Sequence, residues 1–177
     1  MCDSCGCGDP SKVSVEDHHK ILTANDRTAA HNREHFVESG VFAVNLMGSP
    51  GAGKTAVLEA TARALAGKGR IGAIAGDLET ERDADRLRGV GVPTAAITTG
   101  SACHLDAEMV HKSLHHFPWR ELDYLFVENV GNLVCPAIYD LGQAVNVVAL
   151  SVTEGEDKPL KYPVMFRKAD LALITKV

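Results

Sequence analysis

The stretch GSPGAGKT, residues 48–55, decides the fold class. It matches the pattern G-x-x-x-x-G-K-S/T, in which glycines let backbone N–H groups turn toward phosphate oxygens. In this pattern Lys54 neutralises the β and γ phosphates, and Thr55 offers its hydroxyl to Mg²⁺. An apolar run, VFAVNLMG, precedes the motif and an alanine-rich helical pattern follows it, which is the setting that a phosphate loop needs. The residues predicted to bind the nucleotide are Gly48, Ser49, Pro50, Gly51, Ala52, Gly53, Lys54 and Thr55.

Apolar, β-rich runs alternate with helical patterns along the rest of the chain. The further strand candidates are IGAIAGD, VPTAAITTG, YLFVENVG, VNVVALSV and DLALITKV, and a helix is expected from about Leu105 to Phe117. Buried strands separated by helices predict an α/β fold with a mostly parallel central sheet and helices on both faces. The last candidate ends at Val177 with no helix after it, so we expect a C-terminally truncated sheet. We expect a flexible cysteine-rich tail at 1–12, a helix and linker at 13–40, and the nucleotide-binding domain at 41–177.

Composition narrows the classes of function. The 177 residues suffice for one domain, and a net charge of −5 argues against nucleic-acid binding. No apolar run approaches the roughly 18 residues of a membrane span, and the N-terminus lacks the pattern of a secretory signal. We therefore expect a cytoplasmic protein. In that compartment its five cysteines indicate metal binding or reactivity rather than disulfides.

Two carboxylates follow strand candidates at the edge where ligands of parallel sheets bind. Asp77 ends IGAIAGD, and Glu128 ends YLFVE, three residues before Gly131. We expect Asp77 to join Thr55 at Mg²⁺, either Asp77 or Glu128 to position the attacking water beside Lys54, and the Gly131 N–H to contact the γ-phosphate. The acidic residues after Asp77 are expected to be solvated charges at the start of a helix: Glu79, Asp83 and Asp85. Of these, Asp83 is the best candidate for a functional role.

Thiols and imidazoles form two candidate metal sites. The first ten residues, MCDSCGCGDP, contain Cys2, Cys5 and Cys7, whose thiolates suit a transition metal; an unstructured tail with incidental cysteines is the alternative. The second candidate set is Cys103, His104 and Cys135, with Cys135 seven residues after Glu128. These ligand types suit Zn²⁺ or Ni²⁺ better than Mg²⁺, although Cys135 alone would be typical of a small buried hydrophobe. Three ligands are an incomplete set, which a symmetric dimer could complete by joining two copies.

Two histidine pairs have the i, i+4 spacing at which neighbouring imidazoles on a helix can chelate a metal. They are His31 with His35 and His111 with His115. The alternative is that they belong to solvated helix faces.

The phosphate loop, GDLETERDADRL, TTGSACHLDA, ENVGNLVCP, DKPLKYPVMFRKADLALITKV and the C-x-x-C-G-C start occur here in one order. In this combination the chain resembles the hydrogenase nickel-incorporation GTPase family, HypB, over essentially its whole length. The resemblance implies a SIMIBI-class P-loop fold, slow regulatory GTP hydrolysis and a GTP-favoured homodimer. It implies partners in a HypA-like accessory protein and the hydrogenase large subunit. It also implies nickel at Cys2, Cys5 and Cys7, and nickel or zinc at Cys103, His104 and Cys135.

Two departures from the family pattern stand out. The chain has no histidine-rich storage tract, so bulk nickel storage is not expected. The guanine-reading motif N/T-K-x-D is present here only as TKV, at residues 175–177. Lys176 is expected to stack over the base, and guanine specificity is implied by the family resemblance rather than by these residues.

Two alternative functions are also compatible with the nucleotide site. One is a different enzyme on the same fold, a urease-type nickel GTPase or a P-loop kinase. The other is a metal-buffering module whose nucleotide site is structural.

Overall fold

A computed structural model describes the backbone of residues 15–177 and the side chains from His19 onward. The predicted cysteine tail at residues 1–12, with Cys2, Cys5 and Cys7, lies outside the described residues. Within them the strands are β1 (Phe42–Gly48), β2 (Ile71–Asp77), β3 (Thr94–Thr98), β4 (Tyr124–Glu128), β5 (Val145–Ser151) and β6 (Leu171–Thr175). The helices are α1 (Val15–Glu38), α2 (Lys54–Ala64), α3 (Arg82–Gly89), α4 (Ala107–Ser113), α5 (Lys158–Lys161) and α6 (Pro163–Lys168).

The strands form one sheet in the order β3-β2-β4-β1-β5-β6, and every pairing is parallel. Each predicted strand is therefore present, and the α/β prediction is confirmed. β1 is central, with Leu46 opposite Glu128 of β4 and Gly48 opposite Ala149 of β5. Because β4 lies beside β1, the carboxylate that ends β4 emerges next to the phosphate loop that follows β1.

Helices cover both faces of the sheet, each over its own apolar core. On one face Phe36 of α1 and Val110 of α4 pack against Leu125 of β4. On the other face Leu58 of α2 and Leu87 of α3 pack against residues of β1, β2 and β5. The chain continues from α1 into β1 through Gly40, whose φ of +69° is a left-handed conformation that favours glycine.

The structure differs from the predicted elements at two places. We expected a helix from about Leu105 to Phe117, but α4 begins at Ala107 because the Asp106 side chain caps it, accepting from the Met109 N–H at 2.7 Å. Helices α5 and α6 were not predicted from the sequence, because they are short and each has a proline in its first turn. Within residues 15–177, no helix has both the length and the apolar character needed to cross a bilayer.

Candidate functional site

The phosphate loop, residues 48–55, joins β1 to α2 in a conformation that depends on its glycines. Gly51 and Gly53 have φ values of +76° and +89°. At Gly48 an added Cβ would lie 2.6 Å from the Ala149 carbonyl oxygen, so this position has no space for a side chain. Helix α2 begins at Lys54, within the last two residues of the loop, and its first backbone N–H groups are available to an anion.

A cavity of about 410 Å³ lies between this loop and the ends of β2 and β4. Most of the predicted nucleotide-site residues line it: Pro50, Gly51, Gly53, Lys54, Thr55, Asp77, Glu128 and Gly131. Asp83, the best candidate among the acidic residues after Asp77, also lines it, together with Arg86, which the sequence reading missed. The Arg86 guanidinium contacts both Glu59 and Asp83, so the cavity has a second cation beside Lys54.

Three predicted loop residues do not line the cavity. Gly48 lies at the end of β1, Ala52 is fully buried, and the Ser49 hydroxyl donates to the Glu154 carboxylate. Lys176 does not line it either. It follows Thr175, whose hydroxyl donates to the Ala52 carbonyl at 2.6 Å, so the end of β6 contacts the phosphate loop.

Lys54 is a buried cation, with only 7% of its surface exposed. Its Nζ donates to the Ser49 carbonyl oxygen at 3.3 Å. Burial lowers the pKa of Lys54, and the carboxylates of Glu128 and Asp83 oppose that shift. A phosphate oxygen at this position would stabilise the charged ammonium, because a buried charge needs a partner of opposite sign.

Glu128 is a buried carboxyl group, 3% exposed, at the floor of the cavity. Its Oε1 accepts from the Thr55 hydroxyl at 2.8 Å, and its Oε2 has no hydrogen-bond partner among the described residues. Burial raises the pKa of Glu128 to about 7, although Lys54 and the Thr55 hydrogen bond act to lower it. An unpartnered buried carboxylate oxygen beside a hydroxyl is a donor set that fits Mg²⁺ and its water ligands.

Asp77 lines the cavity, but its carboxylate accepts hydrogen bonds from the residues that follow it. Its Oδ1 accepts from the Leu78 N–H at 2.6 Å, and its Oδ2 accepts from the Thr80 hydroxyl at 2.5 Å. The expectation that Asp77 joins Thr55 at Mg²⁺ stays a prediction, and the carboxylate that contacts Thr55 directly is Glu128. The reason is the strand order, because β4 and not β2 is the neighbour of β1.

Cys103, His104 and Cys135 come together in the structure, with one ligand atom from each within 4.8 Å of the others. The two sulfurs are 3.1 Å apart, and Cys103 Sγ is 3.9 Å from His104 Nδ1. The His104 ring stacks on the Tyr139 ring at a centroid distance of 3.9 Å, a contact that the sequence reading missed. Burial lowers the pKa of His104 and so favours the neutral imidazole that binds metals. Two sulfurs and an imidazole are a ligand set for Zn²⁺ or Ni²⁺.

Hydrogen bonds connect this cluster to the nucleotide cavity. Asn129, which follows Glu128, accepts from the backbone N–H of Leu105 at 3.0 Å. On the other side, the Thr99 N–H donates to the Asp77 carbonyl at 2.9 Å. The chain segment that carries Cys103 and His104 is therefore bonded at both ends to segments that line the cavity. Asn129 was not among the residues predicted from the sequence to be functional.

Gly131 lies against the phosphate loop, in the segment that runs from Glu128 to Cys135. An added Cβ at Gly131 would lie 2.8 Å from both the backbone nitrogen and Cγ of Pro50. One residue later, Asn132 forms an antiparallel bridge with Gly48. The segment that leads to Cys135 is therefore in direct contact with the phosphate loop.

Comparison with known proteins decides the family. The sequence model of the family described as CobW/HypB/UreG, nucleotide-binding domain, matches residues 42–177. The chain belongs to this family. Its curated relatives place it with HypB. The hydrogenase maturation factor HypB of Azotobacter vinelandii is 53% identical over 156 residues, which cover 88% of this chain and 52% of that protein.

A second relative, the hydrogenase/urease maturation factor HypB of Helicobacter hepaticus, is 47% identical over 170 residues, covering 94% of this chain and 69% of its own length. The chain thus spans about half the length of the first relative and about two thirds of the second.

Solved structures agree with this assignment. The crystal structure of HypB from Helicobacter pylori in complex with nickel superposes with a TM-score of 0.81 at 47% identity, covering 85% of this chain and 71% of that one. The signal recognition particle receptor FtsY from Elizabethkingia anophelis has a TM-score of 0.56 at 16% identity, covering 94% of this chain and 68% of that one. The second likeness bears on the fold alone, and it agrees with the expected SIMIBI class.

Proposed function

We propose that this chain is a GTP-hydrolysing metallochaperone domain that carries nickel for the maturation of a nickel enzyme, the hydrogenase large subunit being the expected recipient. The observation that carries the proposal is the joint position of two sites. Cys103, His104 and Cys135 form a set of soft ligands, and hydrogen bonds connect it to a phosphate-loop cavity. The names of the HypB relatives, and the complex of Helicobacter pylori HypB with nickel, support the choice of process and cargo.

The cavity supports hydrolysis of a Mg²⁺-bound triphosphate. The N–H groups at the start of α2 and the Lys54 ammonium would hold the phosphates. Thr55 and Glu128 would hold Mg²⁺, which would supply positive charge to neutralise the phosphate oxygens. Asp77, which also lines the cavity, would orient the attacking water. The Arg86 guanidinium lines the same cavity and would stabilise the developing negative charge.

The guanine base is proposed from the family. Lys176 would stack over the base, since the end of β6 contacts the phosphate loop through Thr175. The preference for GTP over ATP is therefore a point that a turnover assay on the whole protein must test.

The nucleotide would control the metal through the segment after Glu128. A γ-phosphate accepting from the Gly131 N–H would move the backbone that packs on Pro50, and this backbone continues to Cys135. Asn129 would transmit the same change to the Cys103 side through the Leu105 N–H. The separation of the sulfurs, and with it the affinity for the metal, would then differ between the GDP and GTP states.

The cluster offers three ligands, and a second copy would complete a four-coordinate site across a two-fold axis. The surface around Cys135 supports such an interface, because the flanking apolar side chains Val134 and Ile138 are each 46% exposed. We propose a GTP-favoured homodimer here, and a HypA-like accessory protein as the partner that exchanges nickel or zinc with it. The cysteine tail with Cys2, Cys5 and Cys7 would be the site that supplies nickel.

The test is a Ni²⁺ titration of the full chain in the presence of GDP or a non-hydrolysable GTP analogue. A coupling of 1 to 3 kcal/mol is typical, so we expect the inner-site affinity to differ about 5-fold or more between the two states. Cys103→Ala should abolish this nucleotide-sensitive binding, whereas Cys2→Ala, the matched loss of one thiol, should leave it in place.

Equal affinities in the two nucleotide states would overturn the coupling. Lys54→Ala tests the nucleotide arm separately. If this variant still supported hydrogenase maturation in cells, the alternative of a metal buffer with a structural nucleotide site would replace the proposal.

A further inference from the structure

A cluster of three imidazoles lies outside the site described above, on the seam between α1 and α4. His31 and His35 of α1 and His111 of α4 each offer one ring nitrogen, and these nitrogens all lie within 4.8 Å of one another. The sequence spacing pairs His111 with His115, but the described cluster joins His111 to the histidines of α1 instead. The rings of His111 and His115 meet edge-on with centroids 5.4 Å apart.

A buried amide sets the orientation of His111. The Asn32 Nδ2 group donates to the carbonyl oxygens of Ala107 at 2.8 Å and Leu141 at 3.1 Å, which fixes the amide so that Oδ1 faces His111. Asn32 Oδ1 lies 2.9 Å from His111 Nδ1 and can only accept, so Nδ1 carries the hydrogen. The lone pair of His111 is then on Nε2. Metal-binding histidines are commonly oriented in this way, by a hydrogen bond from the other ring nitrogen.

The two α1 imidazoles are already close to ligand spacing. His31 Nε2 and His35 Nε2 are 3.0 Å apart. Metal–nitrogen bonds of about 2.0 to 2.1 Å in a tetrahedral site place two nitrogens about 3.3 Å apart, so an ion would need only a small opening of the pair. Trp119 packs edge-on against His35 at a centroid distance of 6.2 Å. His31 is exposed, which gives an ion a direct route from solvent.

We propose that His31, His35 and His111 form a separate site for a divalent transition-metal ion of the Zn²⁺ and Ni²⁺ class, with solvent in the remaining position. Imidazole nitrogens select this class over Mg²⁺ and Ca²⁺. The site is independent of the proposed thiolate sites and needs no nucleotide. An ion here links α1 to α4, the helix that begins three residues after His104.

The test uses the full chain with all five cysteines changed to alanine, which removes both thiolate sites. Equilibrium dialysis against Zn²⁺ alone, and then Ni²⁺ alone, measures the bound stoichiometry. We expect this variant to bind one equivalent, and we expect His31→Gln with His111→Gln to lose it, weakening binding about tenfold or more. The matched control is His19→Gln with His116→Gln, which removes two exposed imidazoles outside the cluster and should keep the equivalent.

A second measurement covers the case in which the cysteine-free variant fails to fold. In the chain with its cysteines intact, the His31→Gln and His111→Gln pair should bind one metal equivalent fewer than the control pair. The metal should also raise the melting temperature of the control by more than that of the test pair, because each ion that binds only the folded state stabilises it and the test pair has one site fewer. Equal stoichiometry in the two pairs would overturn this site, and would leave the proposed thiolate function untouched.

Discussion

The buried carboxyl group of Glu128 makes the stability of the nucleotide-free protein depend on pH in a predictable direction. Its pKa rises from an ordinary value of 4.5 to about 7 in the folded protein, chiefly through burial. Between these pH values the folded state keeps a proton that the unfolded state loses, so the contribution of Glu128 to the free energy of unfolding falls as pH rises. Each pKa unit corresponds to about 1.4 kcal/mol, so the full cost above pH 8 is about 3 kcal/mol.

Glu128→Gln should remove this cost, because the amide is neutral and its oxygen can still accept from Thr55. We expect the variant to be more stable than the original chain by about 1 kcal/mol at pH 5 and about 3 kcal/mol at pH 8. Guanidinium unfolding with EDTA and no nucleotide, followed by the fluorescence of the single, buried Trp119, measures this difference. The control is Glu34→Gln, the same substitution at an exposed carboxylate of α1.

The result that would refute the reasoning is a Glu128→Gln effect that is flat with pH, or that grows toward acid. A second readout follows from the same group. If Mg²⁺ and nucleotide bind at Glu128, they should displace about three quarters of a proton at pH 6.5, since that is the protonated fraction of a group with a pKa of about 7. Calorimetry in two buffers of different ionisation enthalpy should show this release in the original chain and not in Glu128→Gln.

Two further substitutions test the contacts between the nucleotide cavity and the metal cluster. Gly131→Ala should weaken nucleotide binding, measured with a fluorescent GDP, and destabilise the fold by about 1 to 3 kcal/mol, because its Cβ would meet Pro50. The control is Gly89→Ala, which lies in α3 with open space around it and should leave nucleotide binding unchanged without loss of stability. Asn129→Ala should cost about 1 to 3 kcal/mol in guanidinium unfolding, because it leaves the buried Leu105 N–H without its acceptor, and it should reduce the nucleotide dependence of metal binding. Unchanged stability in Asn129→Ala would mean that this hydrogen bond does not hold the two segments together.

Much of the fold and part of the site could be predicted because the signals are local. Glycines at residues 48–55 and the apolar runs before and after them are short-range patterns, and they correctly predicted the loop, all the strands and the parallel sheet. The thiolate set was predicted from the adjacent residues Cys103 and His104 and from Cys135, seven residues after Glu128, and the family resemblance implied the same three residues. The contact of Glu128 with Thr55 could not be predicted, because sequence spacing does not say which strand lies beside β1; the role of Asp77 at Mg²⁺ stays a prediction.

The sequence by itself determined the class of chemistry, since a phosphate loop and a set of sulfur and imidazole ligands are properties of residue type and spacing. Only the tertiary structure decided which of these groups meet. The order β3-β2-β4-β1 placed Glu128 beside Thr55, and the packing of α1 on α4 joined His111 to His31 and His35. Such contacts depend on the burial of whole helix and strand faces, which is a sum over many residues distant in the chain and leaves no local pattern to read.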